Sequence, residues 1–132
     1  MKSPMFYWDP DTGIAKVVIT AEDGSIHTGT AKCHDSDRDV LSEFTGCGIA
    51  ERRAVISCLK HTRDYIIKPK LKTLQKFLYV VNQSKYFNND EYVSRMLYKE
   101  IARAKYELEK VKKDIAEKKQ ELKTYITKKQ EM

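Results

Sequence analysis

The sequence predicts an α+β fold: an N-terminal antiparallel β-meander, a kinked central helix, and a long C-terminal helix that forms a helical oligomer interface. Three observations carry this. Short β-branched runs lie between Asp/Gly turn clusters near the N-terminus, and apolar residues at helical spacing, interrupted by Pro69, follow. The last third holds Leu97, Ile101, Ala104, Leu108, Val111, Ile115, Leu122 and Tyr125, alternating four and three apart with Lys118 as the one polar rung.

Taken in order, residues 6–8 read as a first strand, and Asp9-Pro-Asp-Thr-Gly13 as a turn. Residues 15–20 form a second strand by their β-branched run, Glu22-Asp-Gly24 a hairpin turn, and residues 25–32 its returning partner. A short helix is expected over 34–44, with Ser36 as N-cap and Asp37 and Asp39 in the first turn, stopping at Thr45-Gly-Cys-Gly48. From Ile49 a central helix runs to about Val81, one face carrying Val55, Cys58, Leu59, Thr62 and Ile66 and another Leu71, Leu74, Leu78 and Val81. Pro69 should kink or break it one turn earlier, because its ring excludes a main-chain hydrogen bond. Residues 82–89 form an elbow rich in amides and aromatics, and Asn89 caps the last helix.

Length makes 1–132 a single domain, divided into sheet and short helix (1–47), central helix (48–82) and long oligomerising helix (89–130). At about 1.5 Å per residue the last helix reaches on the order of 60 Å, beyond what a compact domain of this size covers. Its seam therefore points to a second copy of the chain, the alternative being an intrachain hairpin with the preceding helix. No segment has the roughly 18 uncharged apolar residues that cross a bilayer, and the N-terminus lacks the apolar run of a secretory signal. Three cysteines without CxxC spacing fit reduced thiols in a cytoplasm.

The net charge of +6 divides unevenly: residues 1–47 carry −4, residues 48–87 carry +7 and residues 88–132 carry +3. Clustered positive charge suits an anionic partner bearing phosphates. In the stretch 112–129, Glu and Asp are interleaved with Lys at helical spacing, the pattern of a solvated face.

The motifs of catalysis are missing. His27, His34 and His61 have no paired spacing, and neither GxSxG nor a P-loop string occurs. Cys33-His34 with Cys58-x-x-His61 makes a poor tetrahedral set, since adjacent residues rarely serve one metal. A binding protein without cofactor is the expectation. Two places suit a phosphate-bearing ligand. At Gly46-Cys-Gly48, glycine amides, a helix N-terminus, Arg52 and Arg53 would face an anion, although the same residues also describe a plain helix start. At the elbow, Tyr79, Tyr86 and Phe87 offer rings, Asn88 and Asn89 offer amides, and Arg95, Lys99 and Arg103 make a cationic line on the last helix. The alternative there is that Tyr79 and Phe87 close the core while the cations sit in water.

The segments Tyr7-Trp-Asp-Pro-Asp-Thr-Gly13, Thr28-Gly-Thr-Ala-Lys32 and Glu43-Phe-Thr-Gly-Cys-Gly-Ile-Ala-Glu51, with the long charged C-terminal helix, together resemble the type-one Thoeris anti-defence proteins of bacteriophages. The resemblance spans most of the chain. It implies a protein that is not an enzyme and that sequesters the cyclic ADP-ribose isomers made by bacterial TIR-domain proteins in the cytoplasm of the infected host. In some members of that family it also implies binding of cyclic oligonucleotides of CBASS systems, and assembly as homodimers or trimers of dimers. Carried onto this chain, it makes Tyr79 or Phe87 with Asn88 or Asn89 the stacking pair, and Arg95, Lys99 and Arg103 the phosphate set. It makes Gly46, Gly48, Arg52 and Arg53 the candidates for a second, cyclic-oligonucleotide site. No membrane and no polymeric nucleic acid is expected as partner. Two other functions fit the same residues: a small basic module resembling double-stranded RNA-binding domains, whose affinity would fall steeply with salt, and a structural coiled-coil adaptor indifferent to the elbow's aromatics.

Overall fold

The computed structural model describes residues 3–32, 40–83 and 91–131. Strands β1 (Met5–Asp9), β2 (Ile14–Thr20) and β3 (Ile26–Lys32) form an antiparallel sheet in the order β1-β2-β3. Helix α1 (Val40–His61), a π-helical segment (Thr62–Ile67), α2 (Lys68–Gln83) and α3 (Glu91–Glu131) follow. The fold is α+β. By its contacts the chain forms two compact units, Met1–Lys60 with Asp114–Met132, and His61–Lys113. Among the described residues no helix is long and apolar enough to cross a membrane.

The sheet follows from turn chemistry and alternation. Asp9 opens the first turn: its carboxylate accepts the Asp11 amide at 2.9 Å, its carbonyl accepts the Gly13 amide at 2.8 Å, and Gly13 takes φ 71°. Gly24, at φ 84°, closes the hairpin whose ends meet through the Ala21 amide and the Ser25 carbonyl. The register pairs Ile19 with His27, Val17 with Gly29 and Ala15 with Ala31, so the inward face is Ala15, Val17, Ile19, His27, Gly29 and Ala31. Against it α1 lays Ala50 and Ala54, with Trp8, Cys47, Ile49 and Val55 at the margin.

That core is built of small residues because the helix sits unusually close to the strand. A Cβ at Gly29 would collide with the Ala50 carbonyl oxygen and lie 2.5 Å from the Ala54 nitrogen, both backbone atoms of α1. Arg53 fastens the same approach by donating to the Thr30 carbonyl at 2.7 Å. His27, buried, continues it at the hairpin end. Ser25 Oγ donates to Asp23 Oδ1 at 2.5 Å, so His27 Nε2, 2.8 Å away, donates to Ser25, and Nδ1 lies 3.4 Å from Ser57 Oγ on α1.

One sequence expectation is corrected and another is made specific. The helix stop at Thr45-Gly-Cys-Gly48 does not occur: α1 runs through both glycines as one helix, and packing outweighs their poor helix propensity of about 1 kcal/mol each. At Pro69 the expected irregularity one turn earlier is present and the helical run continues. The missing N–H and bulky ring of the proline are absorbed by the π-helical segment just before it, where the Lys68 amide bonds to the Arg63 carbonyl, five residues back. The short helix expected from residue 34, with its Ser36 cap, lies outside the described residues below Val40, as do the 84–89 part of the elbow and the Asn89 cap.

In the unit His61–Lys113, Ile67 and Val81 are buried on one side and Leu97, Ile101 and Ala104 on the other, and Ser94 Oγ donates to Asn82 Oδ1 at 3.4 Å. These rungs of the seam are covered within one chain. Asp64 anchors the π-helical segment: Arg63 grips its carboxylate at 2.8 and 3.1 Å and Lys68 Nζ lies at 3.4 Å, and chiefly the Arg63 hydrogen bond holds the carboxyl down at about 2.

Gly29→Ala should drive β3 off α1, an overpacking cost of about 1–3 kcal/mol, whereas Gly24→Ala meets open space and costs about 1–2 kcal/mol in backbone strain alone. Thermal melts should rank Gly29→Ala the less stable; the reverse order would mean that β3 and α1 are not held this close. Because the Asp64 carboxyl is depressed, its contribution is complete above about pH 4 and is lost as pH falls through about 2. The melting-temperature gap between wild type and Asp64→Asn should be flat above pH 4 and close below it.

Candidate functional site

Two surfaces carry the residues singled out by sequence, one in each unit. The first is a pair of neighbouring clefts along α1 and the last turns of α3. One, of about 490 Å³, is lined by Phe6, Glu43, Phe44, Cys47, Gly48 and Glu51, and the other, of about 530 Å³, by Glu117, Gln120, Glu121, Thr124 and Lys128; Arg52 and Tyr125 form the wall they share. Glycine makes this wall possible. A Cβ at Gly48 would lie 2.9 Å from Tyr125 Cζ, so its absence admits the phenol against the helix. One turn on, the Arg52 guanidinium lies over the same ring, 3.9 Å from its centroid, and donates to the Gly48 carbonyl at 3.0 Å.

This geometry changes the reading of the glycine site. Gly46 and Gly48 sit inside α1, so their amides belong to helical hydrogen bonding and do not form the N-terminal anion cradle expected from sequence. Arg52 and Arg53 part company: Arg52 reaches the clefts, and Arg53 is turned to β3. The first cleft sets one guanidinium against the carboxylates of Glu43 and Glu51, a donor set poorly suited to a phosphate. Sequence reasoning placed Tyr125 only as a rung of the seam. Its partnership with Arg52 joins residues 73 positions apart and leaves no local signal.

The second surface is in the unit His61–Lys113. Tyr79 is 67% exposed, which removes it from the core, and Arg95, Lys99 and Arg103 are exposed on α3. About 100° per residue places these three cations away from the buried Leu97, Ile101 and Ala104. Arg103 Nη1 lies 3.4 Å from Glu100 Oε1. Phe87, Asn88 and Asn89 lie outside the described residues. Sequence reasoning missed Tyr92 and Tyr106, each 71% exposed on the same outward side of α3; their spacing of three from Arg95 and from Arg103 was the available signal.

Two polar groups of the sheet-bearing unit have defined proton positions. Ser25 directs its hydroxyl hydrogen at Asp23 Oδ1, so in this arrangement it does not donate to His27 Nε2. Burial, reinforced by the Asp23 carboxylate, pushes the Cys58 thiol above its usual range and keeps it protonated.

Gly48→Ala should gain about 1 kcal/mol of helix propensity while dislodging Tyr125. Arg52→Ala should cost about 0.5–1 kcal/mol in the wild type and almost nothing in the Gly48→Ala background. A double-mutant cycle by chemical denaturation measures the difference, and equal costs in both backgrounds would mean that the stack does not depend on the glycine. The chain matches no family model, no curated protein and no solved structure.

Proposed function

We propose that this chain is a non-catalytic binding protein that sequesters a nucleotide-type anion, a cyclic ADP-ribose isomer made by TIR-domain proteins, in the cytoplasm of a phage-infected bacterium. The observation that carries the reading is the cationic line Arg95, Lys99 and Arg103, exposed on α3 opposite its buried seam and bracketed by exposed tyrosines. Diphosphate oxygens accept forked and charge-assisted hydrogen bonds from such a line, and a tyrosine ring supplies the stacking face that a purine needs. Tyr79, together with Phe87, Asn88 and Asn89 of the elbow, is the remaining candidate set for the base. High affinity without turnover requires enclosure, so a homodimer, or a trimer of dimers, would have to close over this open helix face; Leu97, Ile101 and Ala104 are already covered and leave the outward side for that contact.

Incubation with the product of a TIR-domain reaction, followed by heat denaturation and chromatography, should release intact ligand; a hydrolysed product would make the protein an enzyme. By calorimetry, Arg103→Ala and Tyr79→Ala should each weaken binding about tenfold or more, since one stacked base or one charge-assisted hydrogen bond is worth about 1–3 kcal/mol. Both side chains are exposed, so neither change should move the melting temperature of the free protein appreciably. Full affinity in both variants would place the pocket elsewhere.

A further inference from the structure

The unit His61–Lys113 carries the same surface device twice. On the π-helical segment and α2 stand Tyr65, Lys68, Lys72, Lys76 and Tyr79, spaced three, four, four and three apart. On α3 stand Tyr92, Arg95, Lys99, Arg103 and Tyr106, with the same spacing, each displaced by 27 positions from its counterpart. All ten side chains are exposed, and the four tyrosines are 73%, 67%, 71% and 71% accessible in chain order. Residues four apart advance only about 40° around a helix, so each set of three cations makes one strip, with a tyrosine beyond each end. On α2 the strip lies away from the buried Ile67 and Val81, and the helix holds four lysines and no acidic residue; the Asp64 carboxylate touches Lys68 alone among the strip's cations. The Tyr65 ring already stacks on His61, with centroids 5.1 Å apart, which widens the aromatic platform at that end.

We propose that the strip Tyr65, Lys68, Lys72, Lys76 and Tyr79 is a binding site for single-stranded nucleic acid. Length decides the ligand class. Tyr65 and Tyr79 stand 14 residues apart, about 20 Å along the axis at about 1.5 Å per residue, too far for one nucleotide to touch both. At a stacked rise of about 3.4 Å that distance takes about six nucleotides, with bases on the terminal rings and phosphates along the lysines. Exposed rings favour this occupant over a duplex, whose bases are already stacked on one another, and a lipid surface has no base to stack. The α2 site goes beyond the cyclic-nucleotide reading and does not rest on it.

The test is fluorescence anisotropy of the full chain with a labelled oligothymidylate of about twenty nucleotides. Three phosphate contacts should make binding about twentyfold weaker at 200 mM than at 50 mM salt. Lys72→Glu with Lys76→Glu should lose at least tenfold in affinity, and Tyr65→Ala about tenfold, with circular dichroism unchanged because these side chains are exposed. A thymidine dinucleotide should compete poorly. Undiminished affinity in the lysine variant overturns the proposal. So does a full affinity in Tyr65→Ala beside loss in the lysine variant, which would reduce the strip to a general polyanion surface, and so does tighter binding to phosphatidylserine vesicles than to the oligonucleotide. Retention of cyclic ADP-ribose binding by the lysine variant leaves the preceding proposal untouched whichever way this one falls.

Discussion

The distance between β3 and α1, set by the missing side chain at position 29, is the constraint on which the sheet-bearing unit depends. Any Cβ there meets backbone atoms of Ala50 and Ala54, which cannot move without moving the helix. Close approach forbids large residues between the layers, and the core answers with Ala15, Ala31, Ala50 and Ala54 around Val17 and Ile19. It also fixes the rotation of α1 about its own axis. With Ala50 and Ala54 inward, Arg53 falls beside the Thr30 carbonyl, and Gly48 and Arg52 meet Tyr125 of α3. One glycine thus determines where two adjacent arginines go and why they do different things.

The same rotation deals with the sheet's free edge. Since Ala21 and Ser25 pair by hydrogen bonds, the pairing alternates through His27, Gly29 and Ala31, and the carbonyl of Thr30 points away from β2. Arg53 occupies it, so that an incoming strand finds a guanidinium in its place. On the other side, β1 is flanked by Pro4 and Pro10, which lack amide protons and share the outward parity of Phe6 and Trp8. A three-stranded sheet with exposed Met5, Tyr7 and Ile26 is kept from growing by these devices.

What could be read from sequence was what local chemistry decides. The strands and both turns follow from β-branched alternation and from the need for glycine at positive φ at Gly13 and Gly24, and α3 begins and ends within a few residues of its expected bounds. Gly46 and Gly48 misled because a glycine pair signals a turn wherever its neighbours are ignored; only the Tyr125 ring explains why a helix would keep Gly48. Pro69 was expected to kink or break the helix one turn earlier, and the irregularity falls there as a wider helical turn that relieves the strain without ending the helical run. At the elbow site Tyr79 and the three cations are exposed, and the tyrosines Tyr92 and Tyr106 that bracket the cations are visible in spacing alone. The Arg52–Tyr125 wall could not be foreseen, because a contact between α1 and the end of α3 has no trace in either segment alone.

The cationic strips ask for an explanation that stability does not supply. Like charges four residues apart destabilise a helix by about 0.2–0.5 kcal/mol per pair, and the strips contain four such pairs, Lys68 with Lys72, Lys72 with Lys76, Arg95 with Lys99 and Lys99 with Arg103. Together that is about 1–2 kcal/mol against folding, a sizeable share for a small chain. Later in α3 the pairing that joins Arg103 to Glu100 recurs, with Lys112 3.5 Å from Glu109 and Lys118 3.3 Å from Glu121. What sets the strip on α3 apart from the rest of the helix is its run of three cations four residues apart with a tyrosine beyond each end. A phosphate chain laid along such a strip converts each repulsion into an attraction shared between neighbouring cations, so the cost borne by the free protein becomes affinity in the bound one.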